Sequence, residues 1–228
     1  LLLMILYPIF WAWIGHAQPP LSLGLSAEQV AAALMPDRHD IVFGMVVATT
    51  IGGLWIPWTA QLTLTLWRLE GTTPVLTITQ LIGGVLTAWA LISCPSIWAL
   101  AAFRPDADPQ VIRSMSDLAF FIFNLTAVIS TFQAVPAGLV GLADKSAAPV
   151  FPRWVCYLAI VAGVSFLGVT PMPFFKSGPM ALDGWFVGWI PGTMYFLSNG
   201  TMGYYLLRDV RRRIVAARSD AASASIIS

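Results

Sequence analysis

Charged residues are excluded from the interior of every long apolar run in this chain. All 12 Lys and Arg residues and all 11 Asp and Glu residues fall in a loop, at the border of a run or in the C-terminal tail. A helix that crosses a bilayer needs about 20 mainly apolar residues, and an ionised group at its centre is costly. The sequence therefore predicts an all-α protein, a polytopic transmembrane helical bundle of about six spans. The predicted spans are residues 1–15, 41–67, 75–103, 118–143, 155–175 and 182–207.

Composition agrees with a membrane protein. Of the 228 residues, 57% are hydrophobic and 10% are charged, whereas a soluble domain carries about 25% charged residues. Six spans with short loops account for most of the chain, so residues 1–207 are predicted to form a single transmembrane domain. Residues 208–228 are predicted to be a basic tail with a disordered end. The net charge of +1, without a basic patch, gives no indication of a nucleic-acid partner.

Proline recurs inside the predicted spans. A proline within a helix removes a backbone hydrogen bond and usually kinks the helix, and a Pro-Met-Pro break at 171–173 lies near the end of the fifth span. Kinked spans leave gaps that can hold a ligand, a lipid or a neighbouring subunit. Ordinary packing is the alternative, because proline is common in transmembrane helices. The other prolines within spans are Pro8, Pro57, Pro95, Pro136 and Pro191.

The first loop has a helix signal of its own. Ser26 and Gln29 have the spacing of a capping box, which predicts a short helix over 27–35. Val30 and Leu34 would share one face of this helix. We therefore expect it to lie on the membrane or on a partner.

The loops also predict the orientation of the spans. The link at 68–74 is only a turn, so the second and third spans should pack as an antiparallel hairpin. If both termini lie on one side, that side carries eight basic residues and the other carries four. Basic residues favour the cytoplasmic side. The sequence thus predicts a multi-pass protein of a bacterial inner membrane, with a cytoplasmic tail and an extracytoplasmic first loop and helix.

Uncharged polar side chains occur within several of the predicted spans. Asn124 and Thr131 are seven residues apart, so they would share a face of one continuous helix, and Gln133 lies elsewhere on it. Gln80 and Asn199 add single amides to the third and sixth spans. These groups predict either hydrogen bonds between helices or the polar lining of a ligand path.

The first loop also contains both histidines, His16 and His39. Asp37, His39 and Asp40 are candidate ligands for a divalent metal, although the adjacent Arg38 disfavours a cation. A solvated turn is the alternative. No phosphate loop, nucleophile elbow or Cys-x-x-Cys motif accompanies them, so the chain is predicted to be neither an enzyme nor a cofactor protein.

Basic and aromatic side chains give two candidate contact surfaces. Arg211, Arg212, Arg213 and Lys176 border spans, where they are predicted to attract anionic lipid headgroups. The spans contain more tryptophans than are expected for the aromatic belts at the two membrane interfaces. The additional tryptophans favour contacts with other proteins. The predicted subunit-interface residues are Trp55, Trp58, Trp89 and Trp98.

Six phrases, in this order, resemble a family of uncharacterised six-span integral membrane proteins of actinobacteria. They cover residues 25–30, 74–80, 102–106, 149–155, 173–179 and 189–191, so the resemblance extends over nearly the whole chain. It implies the six-span fold and a setting in bacteria that handle hydrophobic compounds such as hydrocarbons and sterols. It implies no catalytic residues.

Three functions stay open on this basis. The first is a non-catalytic accessory subunit of a larger membrane complex, with a membrane oxygenase acting on hydrophobic substrates as the partner that the family setting implies. The second is a stand-alone binder or carrier of an apolar ligand or lipid, with Asn124 and Gln133 as polar handles. The third is an enzyme that uses Asp37, His39 and Asp40 on a lipid. Membrane lipids and other membrane subunits are the predicted partners.

Overall fold

A computed structural model describes the backbone of residues 2–227 and the side chains up to residue 219. All regular structure in this part of the chain is helical. The α-helices are α1 (Leu2–Pro8), α2 (Ala27–Leu34), α3 (Arg38–Gly52), α4 (Trp55–Glu70), α5 (Val75–Phe103), α6 (Pro109–Leu125), α7 (Val128–Ala143), α8 (Arg153–Ser165) and α9 (Trp185–Ile227). A π-helix over Ile9–Ile14 continues α1, and two short 3-10 helices, Phe166–Val169 and Met172–Phe174, follow α8.

Among the residues that the structure describes, four helical segments are long and apolar enough to cross a membrane. They are Arg38–Glu70, Val75–Phe103, Pro109–Ala143 and Arg153–Phe174. The prediction of an all-α bundle with several candidate spans is confirmed at this level. The first and last predicted spans are not among the four. Leu2–Ile14 is shorter than the four segments. Polar residues such as Ser198 and Asn199 lower the mean hydropathy of α9.

Two of the four segments are interrupted near their middle. Gly53 and Leu54 separate α3 from α4, and Pro57, four residues after Gly53, has no N–H to offer the Gly53 carbonyl. Thr126 and Ala127 separate α6 from α7. Pro8 lies at the end of α1, and Pro95, Pro136 and Pro191 lie inside helices that continue past them. Pro171 and Pro173 lie in the turn and the 3-10 helix after α8. Bending at those prolines stays a prediction.

The short helix in the first loop is confirmed as α2. Ser26 Oγ accepts a hydrogen bond from Gln29 N at 3.3 Å, and Gln29 Oε1 accepts one from Ser26 N at 2.8 Å. Val30 and Leu34 are buried in the same apolar cluster as Ile112 of α6. The apolar face of α2 therefore packs on this chain itself, because α6 lies beside it, and not on a membrane or a partner as expected.

One end of the bundle is fixed by polar contacts. Glu70 accepts hydrogen bonds from the backbone N–H groups of Leu76 at 2.8 Å and Thr77 at 2.7 Å, which caps the first turn of α5 from the end of α4. Arg68 Nη2 lies 3.5 Å from Asp209 Oδ2 of α9. We call this the tail end, and the opposite end, with the loop at 15–26, the loop end.

Helix α5 is the central element, packed against α3, α4, α6 and α7. Its glycines allow this close approach. A Cβ at Gly83 would lie 2.7 Å from Gln133 N of α7, and a Cβ at Gly84 would lie 2.4 Å from Thr59 Cγ2 of α4. Helix α9 completes the bundle, with its backbone helical to Ile227. The predicted disordered end of the tail falls within 220–228, outside the residues whose side chains are described.

Candidate functional site: a cavity at the loop end

A cavity of about 310 Å³ lies inside the loop end of the bundle. Five parts of the chain line it: the π-helix and the loop after it, the middle of α5, the α6–α7 junction, the 3-10 turn after α8, and the start of α9. The volume is at the lower end of the 300–1,000 Å³ range of small-molecule pockets. Straight, closely packed helices would fill this space. The cavity therefore lies where the surrounding segments are irregular.

The walls of the cavity are mainly aromatic and aliphatic. Trp11 of the π-helix stacks on Phe123 of α6, with ring centroids 4.9 Å apart. Phe166 packs edge-on against Tyr195 of α9 at 5.3 Å, and Phe196 closes the wall beside it. None of the lining side chains is a carboxylate, an imidazole or a basic group. Such walls exclude ions and favour an apolar occupant.

Three hydroxyl groups form the polar floor of the cavity. Thr87 of α5, Ser130 of α7 and Tyr195 of α9 all line it and are otherwise buried. The Thr87 and Ser130 hydroxyl oxygens are 3.4 Å apart. The Tyr195 hydroxyl donates instead to Gln133 Oε1. We call these three residues the hydroxyl floor.

Gln133 holds the hydroxyl floor in place from below. Its Oε1 accepts hydrogen bonds from the Tyr195 hydroxyl and from Trp55 Nε1, the latter at 3.4 Å. Its Nε2 donates to Thr59 Oγ1 at 3.5 Å. All four side chains are buried, and a network of this kind in a dry interior fixes the relative positions of α4, α7 and α9.

Two amides lie higher in the cavity. Gln18 Nε2 donates to the backbone carbonyl of Gly188 at 2.9 Å, which ties the first loop to α9. Gln18 Oε1 is buried and accepts no hydrogen bond within the described residues. Asn124 Nδ2 donates to the Phe120 carbonyl at 2.9 Å. These amides place polar atoms above an otherwise apolar wall.

The cavity opens sideways between the π-helix and α9. Trp13 and Trp189 line it while 67% and 47% of their surfaces are exposed. Thr193, one turn after Trp189, is also exposed and lines the cavity. The opening therefore lies on the lateral surface of the bundle near its loop end.

Asn124 alone of the five polar residues singled out from the sequence lines the cavity. Gln133 lies one layer below it. Thr131 Oγ1 instead donates to the Gly163 carbonyl of α8 at 2.7 Å, because the break at Thr126 and Ala127 places Asn124 and Thr131 on different helices. The expectation that they share a face of one helix is therefore wrong.

Gln80 and Asn199 make contacts between or within helices. Gln80 Oε1 accepts from Thr63 Oγ1 at 2.9 Å, and its Nε2 has no partner in the described part of the chain. Asn199 Nδ2 donates to the Tyr195 carbonyl at 2.8 Å, one turn back along α9. Neither residue lines the cavity.

The four tryptophans predicted at a subunit interface have different positions. Trp55 and Trp98 are buried inside the bundle, Trp98 edge-on against Phe120 at 3.9 Å. Neither can form a surface for another subunit, because both are enclosed by this chain. Trp58 is partly buried against Trp55. Trp89 is 50% exposed on the outer face of α5.

The acidic and histidine cluster is on the surface of the first loop and the start of α3. Asp37, His39 and Asp40 are exposed, and it is His16 Nδ1 that lies 3.6 Å from Asp37 Oδ2. No three His, Cys, Asp or Glu side chains come together as a metal site among the residues that the structure describes. Cys94 and Cys156 are buried free thiols.

The basic residues lie at opposite ends of the bundle. Lys176 is exposed in the loop after α8. Arg211 and Arg212 share one face of α9 with Arg208. Arg213 Nε is paired with Asp209 Oδ2 at 2.7 Å, so it is partly neutralised.

No protein-family model matches this chain, and no curated protein or solved structure is significantly similar to it. Membership of an actinobacterial six-span family therefore stays a prediction.

Sequence reasoning missed most of the residues that shape the cavity. Ser130 is one of the uncharged polar residues of the predicted fourth span, whereas Tyr195 could have been found from helical spacing, since it is four residues before Asn199. Gln18 gives no such signal, because it lies in a loop whose path depends on the π-helix before it.

Proposed function

We propose that this protein binds one small apolar molecule inside a membrane and acts as a binder or carrier of that molecule. The cavity at the loop end carries this proposal. It is large enough for a small ligand, and its walls are mainly apolar. Its polar groups are few, with three hydroxyls at the floor and two amides above them. An apolar molecule that enters such a cavity from the bilayer gains close packing contacts with its walls.

The ligand enters from the bilayer through the opening beside Trp13 and Trp189. These amphipathic rings suit the boundary between acyl chains and headgroups, which is where an apolar molecule with a polar end would be found. A lateral opening spares the ligand from crossing water.

We further propose the six-span arrangement in a bacterial inner membrane. The four qualifying segments would be completed by Leu2–Ile14 with the start of its loop, and by the first half of α9. The tail end, with Arg68, Arg153 and the basic part of α9, would face the cytoplasm. The cavity would then lie in the outer half of the membrane.

The basic face of α9 is proposed to bind anionic lipid headgroups. Arg208, Arg211 and Arg212 lie along one side of α9 together with Tyr204 and Leu207. Each basic residue near an anionic leaflet contributes about 1 kcal/mol to its attraction. This contact would hold α9 at the cytoplasmic surface.

A second candidate function is a non-catalytic subunit of a larger membrane complex, such as an oxygenase that acts on hydrophobic substrates. Trp89 favours it. This side chain is half exposed at the midpoint of α5, far from the interface zones where tryptophan is usually enriched. Contact with another chain would explain its position.

Purification from native membranes in mild detergent, followed by mass spectrometry of everything that stays bound, tests these functions. A binder should carry about one small hydrophobic molecule per chain and no other protein at a fixed ratio. Other protein subunits at an integer ratio, with no small molecule bound, would contradict the binding function and support the second candidate.

A further inference from the structure

The hydroxyl floor is built to bond a further hydroxyl group. Thr87 and Ser130 are buried, and their oxygens are 3.4 Å apart. That separation exceeds the 2.5–3.0 Å typical of a hydroxyl–hydroxyl bond. Each hydroxyl is therefore weakly satisfied by the other and can donate to, or accept from, a third group placed above them in the cavity.

Among the residues that the structure describes, no charged side chain lines the cavity to balance an ionic group. Its polar lining consists of hydroxyls and carboxamides, among them Thr87, Ser130, Gln18 and Asn124. A carboxylate or ammonium held there would lose its hydration and gain no counter-charge, which is far more costly than burying a neutral hydroxyl that finds a partner. The ligand should therefore be uncharged.

The floor and the opening also fix the direction of the ligand. The hydroxyl floor is deep in the bundle, beside Gln133, whereas the opening beside Trp13 and Trp189 is lateral and exposed. The wall between them is apolar, with Trp11 and Phe123 stacked across it. A molecule with one polar end gains most when that end reaches the floor and its apolar part extends towards the opening.

We propose that the ligand is a neutral apolar alcohol whose hydroxyl is held by Thr87 and Ser130. This inference rests on the proposed binding function and adds the chemical class of the ligand. A plain hydrocarbon leaves the hydroxyl floor unused, and a fatty acid binds only in its protonated form. Thr87 and Ser130 are thus the specificity-determining residues of the cavity.

The test uses the full chain in lipid nanodiscs and three probes of equal chain length: 1-dodecanol, dodecane and dodecanoate. Radiolabelled 1-dodecanol reports binding, and the other two compete with it. We expect 1-dodecanol to bind about two- to tenfold more tightly than dodecane, the difference that one hydrogen bond supplies. Dodecanoate should compete only as the pH falls and its carboxyl group becomes protonated.

Two substitutions connect this preference to the hydroxyl floor. Thr87→Val and Ser130→Ala should each weaken 1-dodecanol binding about two- to tenfold while dodecane binds as before. Thr50→Val, at an exposed threonine of α3, should change neither. Thr87→Ser keeps the hydroxyl and should retain the preference, which separates loss of the hydroxyl from a packing defect.

Two distinct failures can be recognised. If all three probes bind equally well and Ala90→Leu, which fills the cavity, weakens them all, the cavity is the site and the alcohol inference is overturned. If no probe binds, or Ala90→Leu changes none of them, the cavity is not the site and the proposed binding function fails together with the inference.

Discussion

Gln18 and Gly188, 170 residues apart in the chain, are joined by a hydrogen bond from Gln18 Nε2 to the Gly188 carbonyl at 2.9 Å. Both residues line the cavity. The bond links the loop after the π-helix to the first turn of α9. The two segments that border the lateral opening are thereby held together close to it.

Removal of this bond should speed the dissociation of a bound ligand while it changes the free energy of unfolding only slightly. Gln18→Ala loses a hydrogen bond worth about 0.5–1.5 kcal/mol, but it also removes the unpartnered Oε1, whose burial is unfavourable. We expect the free energy of unfolding to change by less than about 1 kcal/mol, and bound ligand to dissociate faster. Ligand dissociation from nanodiscs measures this, with Gln110→Ala on the exposed start of α6 as control. Unchanged dissociation would show that the bond does not restrain the wall.

The Gln133 network should behave as one unit. Gln133→Leu leaves the Tyr195 hydroxyl and Trp55 Nε1 without their acceptor in a buried site, and we expect a loss of about 2–4 kcal/mol in the free energy of unfolding. Trp55→Phe should cost less in the Gln133→Leu background than alone, because its partner is already absent. Unfolding of the single and double variants in a denaturing detergent gives the coupling energy. Strictly additive losses would mean that the two residues do not interact.

Trp89 distinguishes the two candidate functions. Trp89→Ala should leave the bound small molecule unchanged, because this side chain points away from the cavity on the outer face of α5. If the chain is a subunit of a complex, the same substitution should reduce the amount of the other subunits that co-purify. Trp154→Ala, at an exposed tryptophan in the first turn of α8, is the matched control. A loss of bound small molecule with Trp89→Ala would contradict the position of this side chain outside the cavity.

Asp144, in the loop between α7 and α8, makes the stability of the fold depend on pH. Partial burial alone would raise the pKa of this carboxyl, but hydrogen bonds from Ser146 N at 3.0 Å and Val150 N at 3.1 Å outweigh it and lower the pKa below its ordinary value. A lowered pKa in the folded state stabilises the fold above the unfolded pKa of about 3.9. This contribution is lost as the pH falls through the folded pKa.

Asp144→Asn should therefore reduce the loss of stability that the protein shows at acid pH. Thermal unfolding between pH 3 and pH 7 should show a smaller drop at the acid end for the variant than for the unchanged protein. Asp106→Asn, in the exposed loop before α6, serves as control and should keep the full drop. An Asp144→Asn profile identical to that of the unchanged protein would rule out this role of the carboxylate.

The sequence predicted the helices better than their interruptions. The third predicted span, 75–103, has the same bounds as α5, because an uncharged run between a turn and an Arg-Pro pair has few alternatives. The capping box likewise located α2. The break at Thr126 was not predictable from hydrophobicity. The Thr126 hydroxyl donates to the Ile122 carbonyl at 2.6 Å, and such local bonding competes with the regular helical pattern only where the surrounding packing permits it.

The candidate site was less predictable than the fold, for a related reason. Five separate parts of the chain contribute to the cavity, and three of them, the π-helix, the α6–α7 junction and the 3-10 turn after α8, are departures from regular α-helix. Asn124 was found because a lone amide in an apolar run is conspicuous. Thr87 is an ordinary residue in a helix with several threonines, and its importance depends on Ser130 being opposite it, which is a tertiary relationship.

The most direct measurement is the amount of small molecule bound per chain in the unchanged protein and in Ala90→Leu, by mass spectrometry after purification in mild detergent. Ala90 is buried and lines the cavity, so a leucine side chain there takes up the space of the ligand. Ala60→Leu, at an exposed alanine of α4, is the control for a larger side chain on a helix. We predict about one molecule per chain in the unchanged protein and in Ala60→Leu, and a marked loss in Ala90→Leu. Equal amounts in all three proteins would contradict binding in the cavity.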